Sequence, residues 1–188
     1  MNTCDRRRYE NYPMRFVALS NLLSISIYLI GAFVLWTLAP VISVCYLTYC
    51  VILEIRILRR SCVDCYYYGR TCCFGKGRLS SFLFRKGEPK RFIQKQVGWF
   101  DILPDFMVTI FPVVGGIASL IIDFHWLVLV SIVVLLGLGF FGSALVRGSF
   151  ACKYCRQRDL GCPALSLFEK RQKSDTLGVA TEIEYTAP

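Results

Sequence analysis

Two stretches of the chain carry the same cysteine spacing. CVDCYYYGRTC runs from residue 62 to 72 and CKYCRQRDLGC from 152 to 162, both C-x2-C-x6-C and 90 residues apart. Two thiols held by a tight turn can aim at one ion, so this spacing is suited to ligating a soft metal. Each motif supplies three thiols, one short of the four that a structural zinc site needs. Three arrangements repair the deficit. Each motif recruits a fourth ligand, for which Cys73 is the candidate in the first copy; each holds an iron–sulfur cluster; or the two motifs pool their thiolates. The candidate ligands are therefore Cys62, Cys65, Cys72, Cys152, Cys155 and Cys162, with Cys73 added under the first arrangement. Pro163 stands where the second copy would need its own Cys73, which counts against two independent four-cysteine sites.

Taken as a pair, the two motifs resemble the binuclear zinc cluster of fungal transcription factors. That resemblance implies two zinc ions on six thiolates, two of them bridging. The net negative charge of such a cluster would be offset by Arg59, Arg60, Arg70, Lys153, Arg156 and Arg158. It covers only these short stretches. The fungal halves are joined by a short linker, whereas a long apolar segment intervenes here, so no DNA binding is implied and no nucleic-acid partner is expected. Cys162-Pro163 is similar to the ending of bacterial ferredoxin motifs, although C-x2-C-x6-C is not their spacing. Iron–sulfur is thus the alternative cofactor to zinc. CYYYG at 65–69 and the FxKG-like stretch at 84–87 resemble uncharacterised archaeal integral membrane proteins, which implies no activity.

Whether such thiols are ligands or disulfides depends on the compartment, and the compartment depends on the apolar elements around them. The hydrophobic fraction is 55%, mean hydropathy is +0.49, and the formal net charge is +9. A soluble domain is not that apolar. Residues 16–55 and 101–146 contain no Lys or Arg, and each block holds two stretches of about 20 residues, enough to span the ~30 Å hydrocarbon core. Pro40 divides the first block into 16–38 and 41–58, and Asp123-Phe124-His125-Trp126 divides the second into 102–122 and 127–146. The first run is longer than the apolar region of a signal peptide, with no small-residue cleavage site after it, and reads as a membrane helix.

All 22 Lys and Arg fall before the first crossing, between the hairpins, or after the fourth. The positive-inside rule then places both termini and the central loop in the cytoplasm. Trp36 and Trp126 mark the outer interface and Trp99 the inner one. Cytoplasmic thiols are reduced, which favours metal ligation over disulfides.

The cysteine spacing belongs to a wider internal match. Tyr12-Pro13-Met14 precedes the first helix much as Leu103-Pro104-Asp105 opens the third, and LSSFLFRK at 79–86 resembles LSLFEK at 165–170. The expected fold class is an all-α membrane protein. Its four transmembrane helices form two tandem hairpin repeats, each followed by a cytoplasmic cysteine motif and related by an axis along the membrane normal. The segments are a cytoplasmic N-terminus (1–15), hairpin 1 (16–58), a basic loop with motif 1 (59–100), hairpin 2 (101–146), motif 2 (147–169) and a tail (170–188).

Other constellations read as structural. Glu54 is expected to pair with Arg56 or Arg59, and Asp101 and Asp105 suit a helix N-terminus. FGKGRLSSFLFRKGEPKRF at 74–92 mixes basic and apolar residues as an interfacial helix does, making the bilayer and its anionic headgroups expected partners; it lacks a full P-loop. Cys45 and Cys50 lie within a membrane helix as packing residues, and Cys4 carries no role. The single histidine, His125, sits in the outer turn, so neither a Cys–His pair nor a histidine ligand is available to the motifs. The reading is an integral membrane protein with a cysteine-ligated structural module and a scaffold or interaction role, engaging a cytoplasmic protein partner, rather than an enzyme. The competing class is a membrane electron-transfer or thiol-redox protein.

Overall fold

The computed structural model describes residues 9–94, 98–158, 160 and 162, without the side chains of Gln94, Trp99, Arg147 and Ser149. The expectations for Cys4, the basic residues at 6–8, the Trp99 ring, Pro163, the match at 165–170 and the tail lie outside the described residues. Four helices are long and apolar enough to cross a bilayer. Helix α1 is Met14–Leu38; α2 is Pro40–Ile57, continued without a break by π-helical Leu58–Cys62. Two short helices follow, α3 (Lys76–Leu83) and α4 (Pro89–Gln94). Helix α5 is Trp99–Ile122, and α6 begins as Trp126–Leu136. It continues through a π segment at Gly137–Gly142, one α-helical turn at Ser143–Leu145, and a second π segment at Val146–Cys152. Among the described residues there is no sheet, only a single bridge between Tyr9 and Cys155.

The helices outrun the expected ends at 58 and 146. No Gly or Pro interrupts the chain between Glu54 and Cys62, so nothing stops α2 before its first motif cysteine. In α6 the wider π turns absorb Gly137, Gly139, Gly142 and Gly148, and the helix again reaches the first cysteine. Both motifs therefore start on helix ends, on the same side of the bundle.

Helices α1 and α5 run through the middle. Each packs on the other, α2 packs on α1 and α5, and α6 packs on α5 and α1. Helices α2 and α6 flank this pair and share no substantial contact, so contact between the motifs does not depend on their being neighbours. Small residues let the central helices approach. A Cβ at Gly116 would come within 2.7 Å of both Val34 and Ile132, and one at Gly31 within 2.6 Å of the Tyr46 hydroxyl. Large apolar side chains such as Leu22, Leu29, Val51, Ile121 and Val133 point outward, the arrangement a lipid-facing surface needs.

Two prolines lie inside α5, and Pro112 is fully buried. Proline has no N–H for the carbonyl four residues back, which for Pro112 is that of Val108. The Tyr46 hydroxyl fills the gap, donating to Val108 O at 2.9 Å. An unpaired carbonyl in an apolar bundle is costly, so this bond couples α2 to α5 at its buried proline. Tyr46→Phe should lower stability by about 1–3 kcal/mol in denaturant titrations in detergent. Unchanged stability would show that Val108 finds another donor.

Candidate functional site

The two motifs begin with the same local geometry. In the first, the Cys65 N–H donates to Cys62 O at 3.4 Å and the Tyr68 N–H to Cys65 O at 3.0 Å. In the second, the Cys155 N–H donates to Cys152 O at 3.5 Å and the Arg158 N–H to Cys155 O at 3.3 Å. Corresponding residues make corresponding turns, each following a π-helical end.

The motifs are also bonded to one another, and the bonds are reciprocal. The Tyr66 N–H donates to Gln157 Oε1 at 2.8 Å, while the Arg156 N–H donates to Tyr67 Oη at 3.1 Å. Tyr66 and Arg156 occupy equivalent positions, as do Tyr67 and Gln157. Each motif thus offers the same backbone donor to the same side-chain position of the other. Gln157 Oε1 also lies 3.8 Å from Cys65 Sγ. The guanidinium groups of Arg70 and Arg156 lie 4.8 and 5.6 Å from the Tyr66 ring centre, one from each motif.

A segment before α1 ties the pair together. The Tyr9 N–H donates to Tyr154 O at 3.2 Å, and Tyr9 O accepts from Tyr67 Oη at 2.6 Å. The Tyr12 N–H donates to Thr71 O at 2.9 Å, and Tyr12 Oη donates to Ala151 O at 2.7 Å. Asn11 Oδ1 accepts from the Thr71 N–H at 3.1 Å. Tyr9, Tyr12, Asn11 and Gln157 were not singled out from the sequence. The only signal there was the run of aromatic residues near the cysteines, because these partners lie 58 to 145 residues apart in the chain.

All the candidate ligands are brought to this end of the bundle. Cys65 is close enough to Cys72, Cys155 and Cys162 to feel their charge, and Cys62 to feel that of Cys65 and Cys72. Cys155 is similarly coupled to Cys152 and Cys162. Cys73 is buried among Tyr12, Val17 and Ala151, with its sulfur 3.4 Å from Ser20 Oγ. It points into the packing against α1. Among the described residues, no group of three or more Cys, His, Asp or Glu is gathered closely enough to hold a metal ion as the side chains stand. No disulfide joins the described cysteines.

Backbone amides point at the sulfurs. The Gly77 N–H donates to Cys72 Sγ at 3.3 Å, the Tyr67 amide to Cys65, and the Gln157 and Arg158 amides to Cys155. Such bonds favour thiolate, but burial acts more strongly the other way. Burial pushes the Cys65 thiol up to about 11, opposed by the Tyr67 amide and reinforced by the neighbouring Cys155, Cys72 and Cys162. Burial also raises Cys155 and Cys73, and holds the Tyr67 phenol up at about 12. These groups stay protonated at neutral pH and are poor nucleophiles on their own.

The acids near this end are accounted for structurally. Glu54 accepts from Tyr28 Oη at 2.6 Å and pairs with Lys76 at 2.7 Å, not with Arg56 or Arg59 as expected. Lys76 reaches it because the loop folds back against α2. Arg56 lies 3.8 Å from Asp101, whose carboxylate accepts from the Gly98 N–H at the start of α5. His125 is in the turn at the opposite end, 3.1 Å from Asp123.

No family model, curated protein or solved structure matches the chain. The functional reading rests on these residues alone. The raised thiols give a first test. In protein kept with a chelator and a reductant at pH 8, on the order of one Cys65 in a thousand should be thiolate. Iodoacetamide should then modify exposed Cys152 well before Cys65 or Cys155, read by peptide mass spectrometry. Equal rates would contradict the burial described.

Proposed function

We propose that this is a multi-pass membrane protein whose two cysteine motifs form one zinc-binding cap on the cytoplasmic face. The observation that carries the reading is the reciprocal pair of bonds, Tyr66 to Gln157 and Arg156 to Tyr67. Those bonds hold two like halves face to face, each contributing three cysteines and neither complete. The amides directed at Cys65, Cys72 and Cys155 support ligation, since they stabilise the thiolates a metal requires. Zinc binding would turn the thiols inward about χ1 and deprotonate them, with coordination offsetting the repulsion among the thiolates so formed. In the shared form, Cys62, Cys65, Cys72, Cys152, Cys155 and Cys162 hold two ions, while Cys73 stays in the packing against α1.

The same evidence supports two tandem hairpins related by an axis along the membrane normal. α1 and α5 lie at its centre, and the α1–α6 and α5–α2 contacts correspond. The cap is closed, with no histidine near it, so the role is structural. It is a scaffold that clamps the hairpins and presents a basic surface to the bilayer's anionic headgroups and to a cytoplasmic protein partner. Among the described residues, the basic side chains and both motifs share one end of the bundle, which by the positive-inside rule is the cytoplasmic end.

Metal analysis after anaerobic purification should find about two zinc ions per chain and a colourless protein. Cys62→Ser and Cys152→Ser should each release metal from both motifs. A brown, iron-containing protein would favour the electron-transfer class. A Cys152→Ser protein that keeps the first motif loaded would replace the shared cluster with independent sites. Labelling of either cysteine from the outer side of sealed vesicles would reverse the orientation.

A further inference from the structure

We propose that α3 is a headgroup-layer helix that inserts Leu79, Phe82 and Leu83 beside the membrane helices and binds anionic phospholipid through Arg78, Arg85 and Lys86. The inference rests on the membrane placement of the four long helices and is independent of zinc.

Its depth argues for it first. The segment leading into α3 does not hang below the bundle. Cys73 touches Ser20, a Cβ at Gly75 would lie 3.0 Å from Val17 and 3.5 Å from Asn21, and Lys76 pairs with Glu54. Asn21 lies roughly 10 Å along α1 from Met14, and Glu54 a similar distance from the end of the α2 rod, at ~1.5 Å per residue. The first turn of α3 therefore lies alongside α1 and α2, at the depth where amphipathic helices settle in a bilayer.

The helix is also fixed there. The Gly69 N–H donates to Gly77 O at 3.0 Å, Tyr68 Oη donates to Phe84 O at 2.7 Å, and the Gly87 N–H donates to Val63 O at 3.1 Å. Its inner face, Gly77 and Ser80, is buried on motif 1. What remains faces outward: Phe82 is 86% exposed, with Leu79 and Leu83 about half exposed beside it. A large aromatic side chain held that far open on a rigid helix is costly in water and natural in the acyl–headgroup boundary.

Charge selects the headgroup. Arg78, Arg85, Lys86, Lys90 and Arg91 are exposed on and after α3, where the acids are fewer: Glu88 is paired with Arg91 at 3.4 Å, and the half-buried Asp64 lies against Gly87. A phosphate-bearing anionic lipid meets both the apolar and the basic half of this surface. An acidic protein would leave Phe82 unmatched.

The test uses the full-length protein in nanodiscs of phosphatidylcholine with phosphatidylglycerol. The photocross-linker p-benzoylphenylalanine replaces Phe82 in one sample. In another it replaces Val133, an outward residue two turns inside the start of α6. Both sites should form phospholipid adducts. Those at Phe82 should be enriched in phosphatidylglycerol over its share of the bilayer, and Arg78→Gln/Arg85→Gln/Lys86→Gln should lower that enrichment by roughly tenfold or more. Adducts at Val133 but none at Phe82, or a cross-linked second copy at Phe82, overturn the role of α3 and leave the membrane reading standing. Lipid adducts without phosphatidylglycerol enrichment overturn the headgroup assignment. Absence of lipid at both sites overturns the membrane reading itself.

Discussion

The four residues from Tyr9 to Tyr12 are bonded on one side to the first cysteine motif and on the other to the second. Tyr9 joins Tyr154 to Tyr67, and Tyr12 joins Thr71 to Ala151. Buried backbone groups must find partners within the protein, and the described turns of the two motifs leave the Thr71, Ala151 and Tyr154 carbonyls to be met from outside. The segment before α1 satisfies both. Because α1 is also the helix against which α2, α5 and α6 pack, the cap and the bundle share one organising element.

This arrangement explains why the loop after α2 is so tightly built. Motif 1 reaches motif 2 with no substantial contact between α2 and α6, and it does so by folding over the end of α1. Gly77 makes the fold possible: a Cβ there would collide with the carbonyl oxygens of Tyr67 and Arg70. Lys76, next to it, carries its charge to Glu54 and lies close enough to Cys62 to act on that thiol as well. One short stretch thus anchors the motif, neutralises an acid in a membrane helix, and launches α3.

Much of this was legible in the residues. Blocks free of Lys and Arg marked the four long helices, because exclusion of charge from hydrocarbon is severe and local in sequence. Pro40 and the turn at 123–126 marked the hairpin turns for the same local reason. The repeated spacing pointed to paired motifs, and Cys62 and Cys152 each open the same backbone turn. What the sequence hid was long-range. Nothing in Gln157 or Tyr12 marks a partner, and the choice of Lys76 over Arg56 for Glu54 depends on where a loop folds back. The π turns that carry α2 and α6 on to the first cysteines were not legible either, because hydropathy does not register a change of hydrogen-bond step.

The central claim is that the paired motifs make one zinc-binding unit. X-ray absorption at the zinc edge of the purified protein tests it most directly, because it reports ligand type and metal–metal neighbours together. The account predicts a first shell of sulfur alone near ~2.3 Å and a second shell from a neighbouring zinc ion. A sulfur shell without a zinc neighbour would contradict the shared cluster, and nitrogen or oxygen ligands, or no bound zinc, would contradict the cap itself.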